Sequence, residues 1–218
     1  MTNYILDVTP IPTASNNKPK QVIVLCHGYG GDGKDISILA INWKRFLPDA
    51  IFMCPNAPEV CSVNPQGFQW FDLSVDKEEI ILEKSLEAEQ KLNTFIDQLL
   101  DDFQLEASNL ALVGFSQGCM MCIQTGIKRK EEINSLIGYS GKIINQAHLK
   151  KNINSKPKIF LMHGANDTIV PPTNLLEAKD YLSICGLKIK TKLFKNCEHK
   201  IPVEGSSLGL SFLKKNLL

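Results

Sequence analysis

Short apolar runs recur along the chain, and segments with helical spacing fill the intervals between them. The runs cover residues 22–26, 51–54, 110–113, 135–139 and 158–163, which read as buried strands, and 188–194 makes a last strand. Helical spacing is found over 34–46, 76–103, 117–128, 174–184 and 206–216. In the longest of these, Leu82, Leu86, Leu92, Ile96, Leu99 and Phe103 recur mostly every three or four residues, with Glu and Lys between them. Such a helix lays one face against something larger. Strands that alternate with helices predict an α/β fold, a mostly parallel central sheet with helices on both faces. No repeat, low-complexity tract or long linker divides the 218 residues, so residues 1–218 are expected to form one domain. Only the irregular stretch 56–72, with Pro58, Pro65 and Gly67, is free to act as a partial cover.

Composition narrows the function classes. A hydrophobic share of 44% with 22% charged residues is a globular profile, not a disordered or fibrous one. The formal charge of +1 argues against nucleic acid as a partner, because non-specific binding there needs surplus cations. The local cluster Lys150, Lys151, Lys156 and Lys158 reads as a solvated loop. Seven cysteines, an odd number in a chain large enough to fold without bridges, predict free thiols in a reducing compartment. The opening MTNYILDVTPIP lacks the pattern of a signal peptide, and no apolar run approaches the roughly 18 residues of a membrane span. The expectation is a cytoplasmic protein without membrane insertion.

Chemistry enters at three strand ends. Gly114-Phe115-Ser116-Gln117-Gly118 follows the run 110–113 and precedes the helix 117–128. In that setting Gly-x-Ser-x-Gly forms a sharp turn that lifts the serine above the sheet edge. A serine hydroxyl needs a base, and the base needs an acid to orient it. Those partners are expected in the chain order Ser, Asp or Glu, His, each just beyond a later strand. Asp167 lies in the turn after 158–163, and His199 in the turn after 188–194. All three then meet at the carboxyl edge of the sheet, where open α/β sheets bind ligands. An oxyanion requires two donors: the Gln117 amide, and the Tyr29 amide from the glycine-rich loop that follows 22–26.

Other residues compete less well for these roles. His27 precedes the nucleophile and is expected to brace its turn. His163 sits too close to Asp167 in sequence to receive its support easily, and His148 falls in the lysine-rich loop. Asp180 is mid-helix, and Glu198 abuts the histidine. Ser140, in Gly138-Tyr139-Ser140-Gly141, follows a strand but lacks the full motif and the helix after it. Cys119 and Cys122 have CxxC spacing inside a helix, where a buried apolar pair is expected. Four scattered histidines and no clustered ligands predict no metal site, and no cofactor is called for.

These motifs resemble the phospholipase/carboxylesterase family of α/β-hydrolases, which includes the acyl-protein thioesterases. The segment from His27 to Asp35 is similar to the family's oxyanion loop in its bacterial form, and Gln69-Trp70-Phe71-Asp72 resembles its Trp-Phe-Asp segment. Gly114 to Gly118 carries its Gly-Phe-Ser-Gln-Gly, and His163 to Asp167, Val170-Pro171 and His199 look like its acid and base turns. Cys197 and Glu198 depart from the small residues that many relatives place before the histidine. Gly31 precedes Asp32, where the eukaryotic thioesterases place the Asp directly after the second glycine. The resemblance implies an α/β-hydrolase fold without a large lid domain, and hydrolysis of carboxylic esters, thioesters or lysophospholipids without a cofactor. Phe68, Trp70, Phe71, Ile169 and Val170, with Ile201, are the candidates to line an apolar acyl pocket. The expected partner is a small ester or lysolipid, and the oligomeric state, monomer or homodimer, stays open. A lysophospholipase or peptidase on the same three residues, and a silent binding protein of this fold, remain alternatives.

Overall fold

The computed structural model describes residues 3–74 and 77–218. A seven-stranded sheet forms its centre, in the order β1-β3-β2-β6-β7-β8-β9. The strands are β1 (Val8–Ile11), β2 (Gln21–Cys26), β3 (Ala50–Pro55), β6 (Leu110–Phe115), β7 (Ser135–Tyr139), β8 (Lys158–Gly164) and β9 (Ile189–Phe194). Between β3 and β6 a two-stranded ribbon, β4 (Glu59–Val60) and β5 (Phe68–Gln69), lies outside the sheet. Every pairing in the large sheet is parallel except β1 with β3.

The helices are α1 (Gly33–Trp43), α2 (Glu78–Phe103), α3 (Gln117–Lys128), α4 (Gln146–Lys151), α5 (Thr173–Ile184) and α6 (Val203–Leu217). They divide between the two faces, as the strands show residue by residue. In β2, Val22, Val24 and Cys26 point into one core with Leu92, Phe95 and Leu99 of α2 and Met121 and Ile127 of α3. Ile23 and Leu25 point into the other core, with Ile36, Leu39 and Trp43 of α1 and Leu213 of α6. Adjacent strand residues face opposite ways, so a strand covered on both sides must be apolar at every position. Full burial of a side chain such as Phe95 contributes about 1.5–3 kcal/mol, and both cores are built from many of them.

Two elements depart from the sequence reading. β1 carries Pro10 and too few apolar residues to stand out, yet it pairs with β3 alone, at the sheet edge where proline is tolerated. The lysine-rich segment expected to be loop contains α4, so His148, Lys150 and Lys151 are helical. The Asn145 side chain caps that helix by accepting from His148 N–H at 2.8 Å. Asp76, the expected start of the longest helix, lies outside the described residues, and α2 is described from Glu78.

Candidate active site

The turn between β6 and α3 is forced by contact as much as by conformation. A Cβ at Gly114 would collide with Gly118 O, and one at Gly118 with Cys26 O on the neighbouring strand. Between them Ser116 takes φ 52° and ψ −118°, which side-chain-bearing residues rarely occupy. Its backbone is tied on both sides: Ser116 N–H donates to Tyr139 O at 2.8 Å, and Met120 N–H donates to Ser116 O at 3.1 Å. Those bonds hold a conformation that would otherwise relax.

β8 and β9 deliver the two partners. The turns beyond them are joined by Ala165 N–H to Phe194 O (2.8 Å) and Asn166 N–H to Cys197 O (2.9 Å). His199 Nε2 stands 2.9 Å from Ser116 Oγ, and His199 Nδ1 stands 2.7 Å from Asp167 Oδ2. A carboxylate only accepts, so Nδ1 carries the hydrogen and Nε2 is left to accept from the serine hydroxyl. Asp167 Oδ1 accepts from Ile169 N–H (3.0 Å) and Val170 N–H (2.9 Å). Burial alone would raise the pKa of this carboxyl group, but the bonds from His199 and the two amides outweigh it. Asp167 is therefore held below the usual carboxylate range. The Phe115 ring packs on the His199 ring with centroids 4.9 Å apart.

His163 stands beside the relay. Four residues from Asp167, it brings Nε2 to 3.2 Å from Asp167 Oδ2 and 2.9 Å from Val170 O. The chain reverses after Gly164, and the turn folds back onto the strand end.

The loop after β2 is equally constrained. Gly31 N–H donates to Gly28 O, Gly30 N–H to Phe68 O, and Phe68 N–H returns to Gly31 O. His27 Nδ1 lies 2.7 Å from Gly28 O and so donates, while Nε2 accepts from Ala57 N–H at 2.9 Å. That pair of bonds requires the neutral ring, and burial pushes its pKa down. Tyr29 lies between these bonded residues and lines the cavity beside the loop. Gln117 N–H, at the first position of α3, has no partner within its helix.

Gln117 also has a structural task that sequence reasoning missed. Its Oε1 accepts from Trp70 N–H at 2.9 Å, and its Nε2 donates to Phe71 O at 2.7 Å. Trp70 Nε1 in turn donates to His27 O at 3.0 Å. Elbow, cover and oxyanion-type loop are therefore one hydrogen-bonded unit. Tyr29 extends it: its hydroxyl lies 2.8 Å from Ser62 Oγ, which donates to Asp72 Oδ1 at 3.1 Å.

The candidate pocket residues scatter. Trp70 and Phe71 are each 1% exposed and Val170 is buried, so these three offer little open surface, while Ile169 is 71% exposed. Phe68 is half-buried. A cavity of about 210 Å³ opens on the Phe115 side of the elbow, lined by His27, Gly28, Tyr29, Gly31, Asp35, Ile36 and Phe115. Ser140 also has positive φ, but its buried hydroxyl has no hydrogen-bond partner among the described residues. Cys119 and Cys122 lie buried in α3, with burial pushing the Cys119 thiol up to about 12. Among the described residues no three His, Cys, Asp or Glu group as metal ligands, and no helix is long and apolar enough to cross a membrane.

The chain as a whole resembles known proteins. The Phospholipase/Carboxylesterase family profile matches residues 11–217. Acyl-protein thioesterase 1 of Aspergillus fumigatus is 30% identical over 219 residues, covering 91% of this chain and 88% of the relative. Esterase YpfH of Escherichia coli is 25% identical over 205 residues, covering 92% and 85%. The crystal structure of esterase PE8 matches with a TM-score of 0.93 at 34% identity, over 97% of this chain and 99% of that one. The chain therefore belongs to the phospholipase/carboxylesterase family of α/β-hydrolases.

Proposed function

We propose that the chain is a serine hydrolase of carboxylic esters, working as one domain with Ser116 as nucleophile, His199 as general base and acid, and Asp167 as the group that orients it. The observation that carries this reading is the unbroken relay from Ser116 Oγ through His199 to Asp167, at 2.9 and 2.7 Å. Ser116 Oγ attacks the acyl carbon as its proton passes to His199 Nε2, and Asp167 stabilises the imidazolium that forms. The tetrahedral oxyanion is held by the amides of Tyr29 and Gln117, and loss of one such donor costs about 10²–10³ in turnover. Collapse breaks the bond to the leaving oxygen or sulfur, which takes the proton from Nε2. Water then repeats the sequence on the acyl-enzyme and returns free serine and a carboxylic acid.

The family name and the relatives called thioesterase and esterase support ester and thioester substrates as a class. A cavity of about 210 Å³ is small beside the ~300–1,000 Å³ of ordinary ligand pockets, which favours a short acyl or alcohol group on that side. The test compares p-nitrophenyl acetate, butyrate and palmitate with lysophosphatidylcholine, a palmitoyl thioester and a peptide amide. Short esters are expected to be turned over fastest, and Ser116→Ala to lose that activity while melting as a folded protein. Normal ester turnover by the alanine variant would contradict the assignment.

A further inference from the structure

We propose that Asp35 is a specificity-determining residue of this site: its carboxylate, in the cavity beside the elbow, selects short esters that carry an ammonium group. The inference rests on the reading of Ser116, His199 and Asp167 just given. The cavity adjoins the nucleophile through two of its walls. A Cβ at Gly28 would lie 3.2 Å from Ser116 Cβ, and Phe115, whose ring packs on His199, immediately precedes the serine. A substituent on either side of the ester bond that Ser116 attacks therefore has this cavity within a few atoms' reach.

Tyr29, Ile36 and Phe115 give the cavity apolar and aromatic walls, and among the described residues it is lined by one carboxylate and by no lysine or arginine. Asp35 stands in the first turn of α1. A Cβ at Gly31 would meet Asp35 Oδ2 at 3.4 Å and His27 Nδ1 at 3.6 Å, so the carboxylate leans over the glycine-rich loop. Its neighbour Asp32 is already engaged, because Asp32 Oδ1 caps α1 by accepting from Asp35 N–H at 2.8 Å. Among the described residues nothing donates to the Asp35 carboxylate and no cation pairs with it. The amino end of α1 contributes about half a positive charge, and the two aspartates reverse that sign. An alkylammonium group suits such a place: its methyl groups meet apolar walls, and its charge meets a carboxylate and aromatic rings. Asp35 is exposed, so the attraction has the strength of a surface ion pair. Together with one aromatic contact, that raises kcat/KM for the cation roughly three- to tenfold.

The experiment measures kcat/KM for two isosteric pairs of esters in wild type, Asp35→Asn and Asp180→Asn. Acetylcholine and neohexyl acetate differ by nitrogen for carbon on the alcohol side. Ethyl trimethylammoniobutanoate and its all-carbon isostere differ likewise on the acyl side. Comparing each cationic-to-neutral ratio between proteins cancels the intrinsic reactivity of the esters. For at least one pair the ratio should fall roughly three- to tenfold in Asp35→Asn, and that pair tells which side of the substrate the cavity takes. Asp180 lies on α5, across the sheet from α1, and controls for net charge; its variant should keep the wild-type ratios. Unchanged ratios for both pairs in folded, active Asp35→Asn overturn the proposal, as does an equal fall in Asp180→Asn. So does a wild type that cleaves the neutral esters and neither cationic one. Salt tests the wild type without any variant: the ratio should drop between about 0.01 and 1 M ionic strength, where the Debye length shrinks from about 30 to 3 Å. A salt-independent ratio overturns the proposal. Failure of the underlying reading is distinguishable, because it would appear as Ser116→Ala retaining turnover of the neutral esters.

Discussion

Strain at Ser116 predicts an inversion of the usual ranking of glycine and alanine. The comparison is Ser116→Gly against Ser116→Ala, because both delete Oγ and its bond to His199 and differ only in the Cβ. At φ 52° that Cβ is held in a sparsely populated conformation, which costs about 1–3 kcal/mol. Glycine relieves it but gives back about 0.5–1 kcal/mol through its freer unfolded chain. It also forfeits burial of one methyl group, at most ~0.8 kcal/mol at a residue 8% exposed. Taking mid-range values, the glycine variant should be more stable by about 0.5–1 kcal/mol, or ~2 °C in melting temperature for a chain of this size. Calorimetry on the two inactive proteins, with urea unfolding as a check, measures it. A glycine variant that melts below the alanine variant would refute the claim that the elbow stores strain.

Gln117→Ala leaves the Trp70 amide and the Phe71 carbonyl buried without partners, at about 1–3 kcal/mol each, so urea unfolding should show a loss of at least ~2 kcal/mol. A loss under ~1 kcal/mol would mean the side chain is not the strut between elbow and cover. For His27, the folded ring resists the proton that the unfolded ring takes below about pH 6.5. Its contribution to stability is therefore present above that pH and falls as pH drops through it, toward the depressed native value. The stability advantage of wild type over His27→Gln should shrink between pH 7.5 and 5.5, and a constant difference would contradict a neutral buried ring. Among the thiols, half-buried Cys185 should react first with a disulfide reagent in native protein, while the buried remainder wait for denaturant. Rapid native reaction of Cys119 or Cys122 would show that α3 is less well packed than described.

What could be read from the sequence follows the range of each signal. Buried parallel strands must be apolar at every position, so β2, β6, β7 and β8 stand out as continuous runs. β1 needs only one partner at an edge, and its Val-Thr-Pro-Ile composition carries no such mark. The three residues of the relay were legible because each follows a strand end, and strand ends are readable. Side chains that act across long sequence distances were not. The Gln117 bonds to Trp70 and Phe71 span 47 and 46 residues, and no local pattern announces them. The acyl-pocket candidates were chosen for apolarity, which cannot separate a residue lining a pocket from one filling a core. Trp70 and Phe71 belong to the core.

The most direct test of the account is to treat the folded protein with a fluorophosphonate and map the adduct by peptide mass spectrometry. Covalent phosphonylation is expected at Ser116, close to one per chain, and abolished in Ser116→Ala. No adduct on correctly folded protein, or an adduct at Ser140 with Ser116 unmodified, would contradict it.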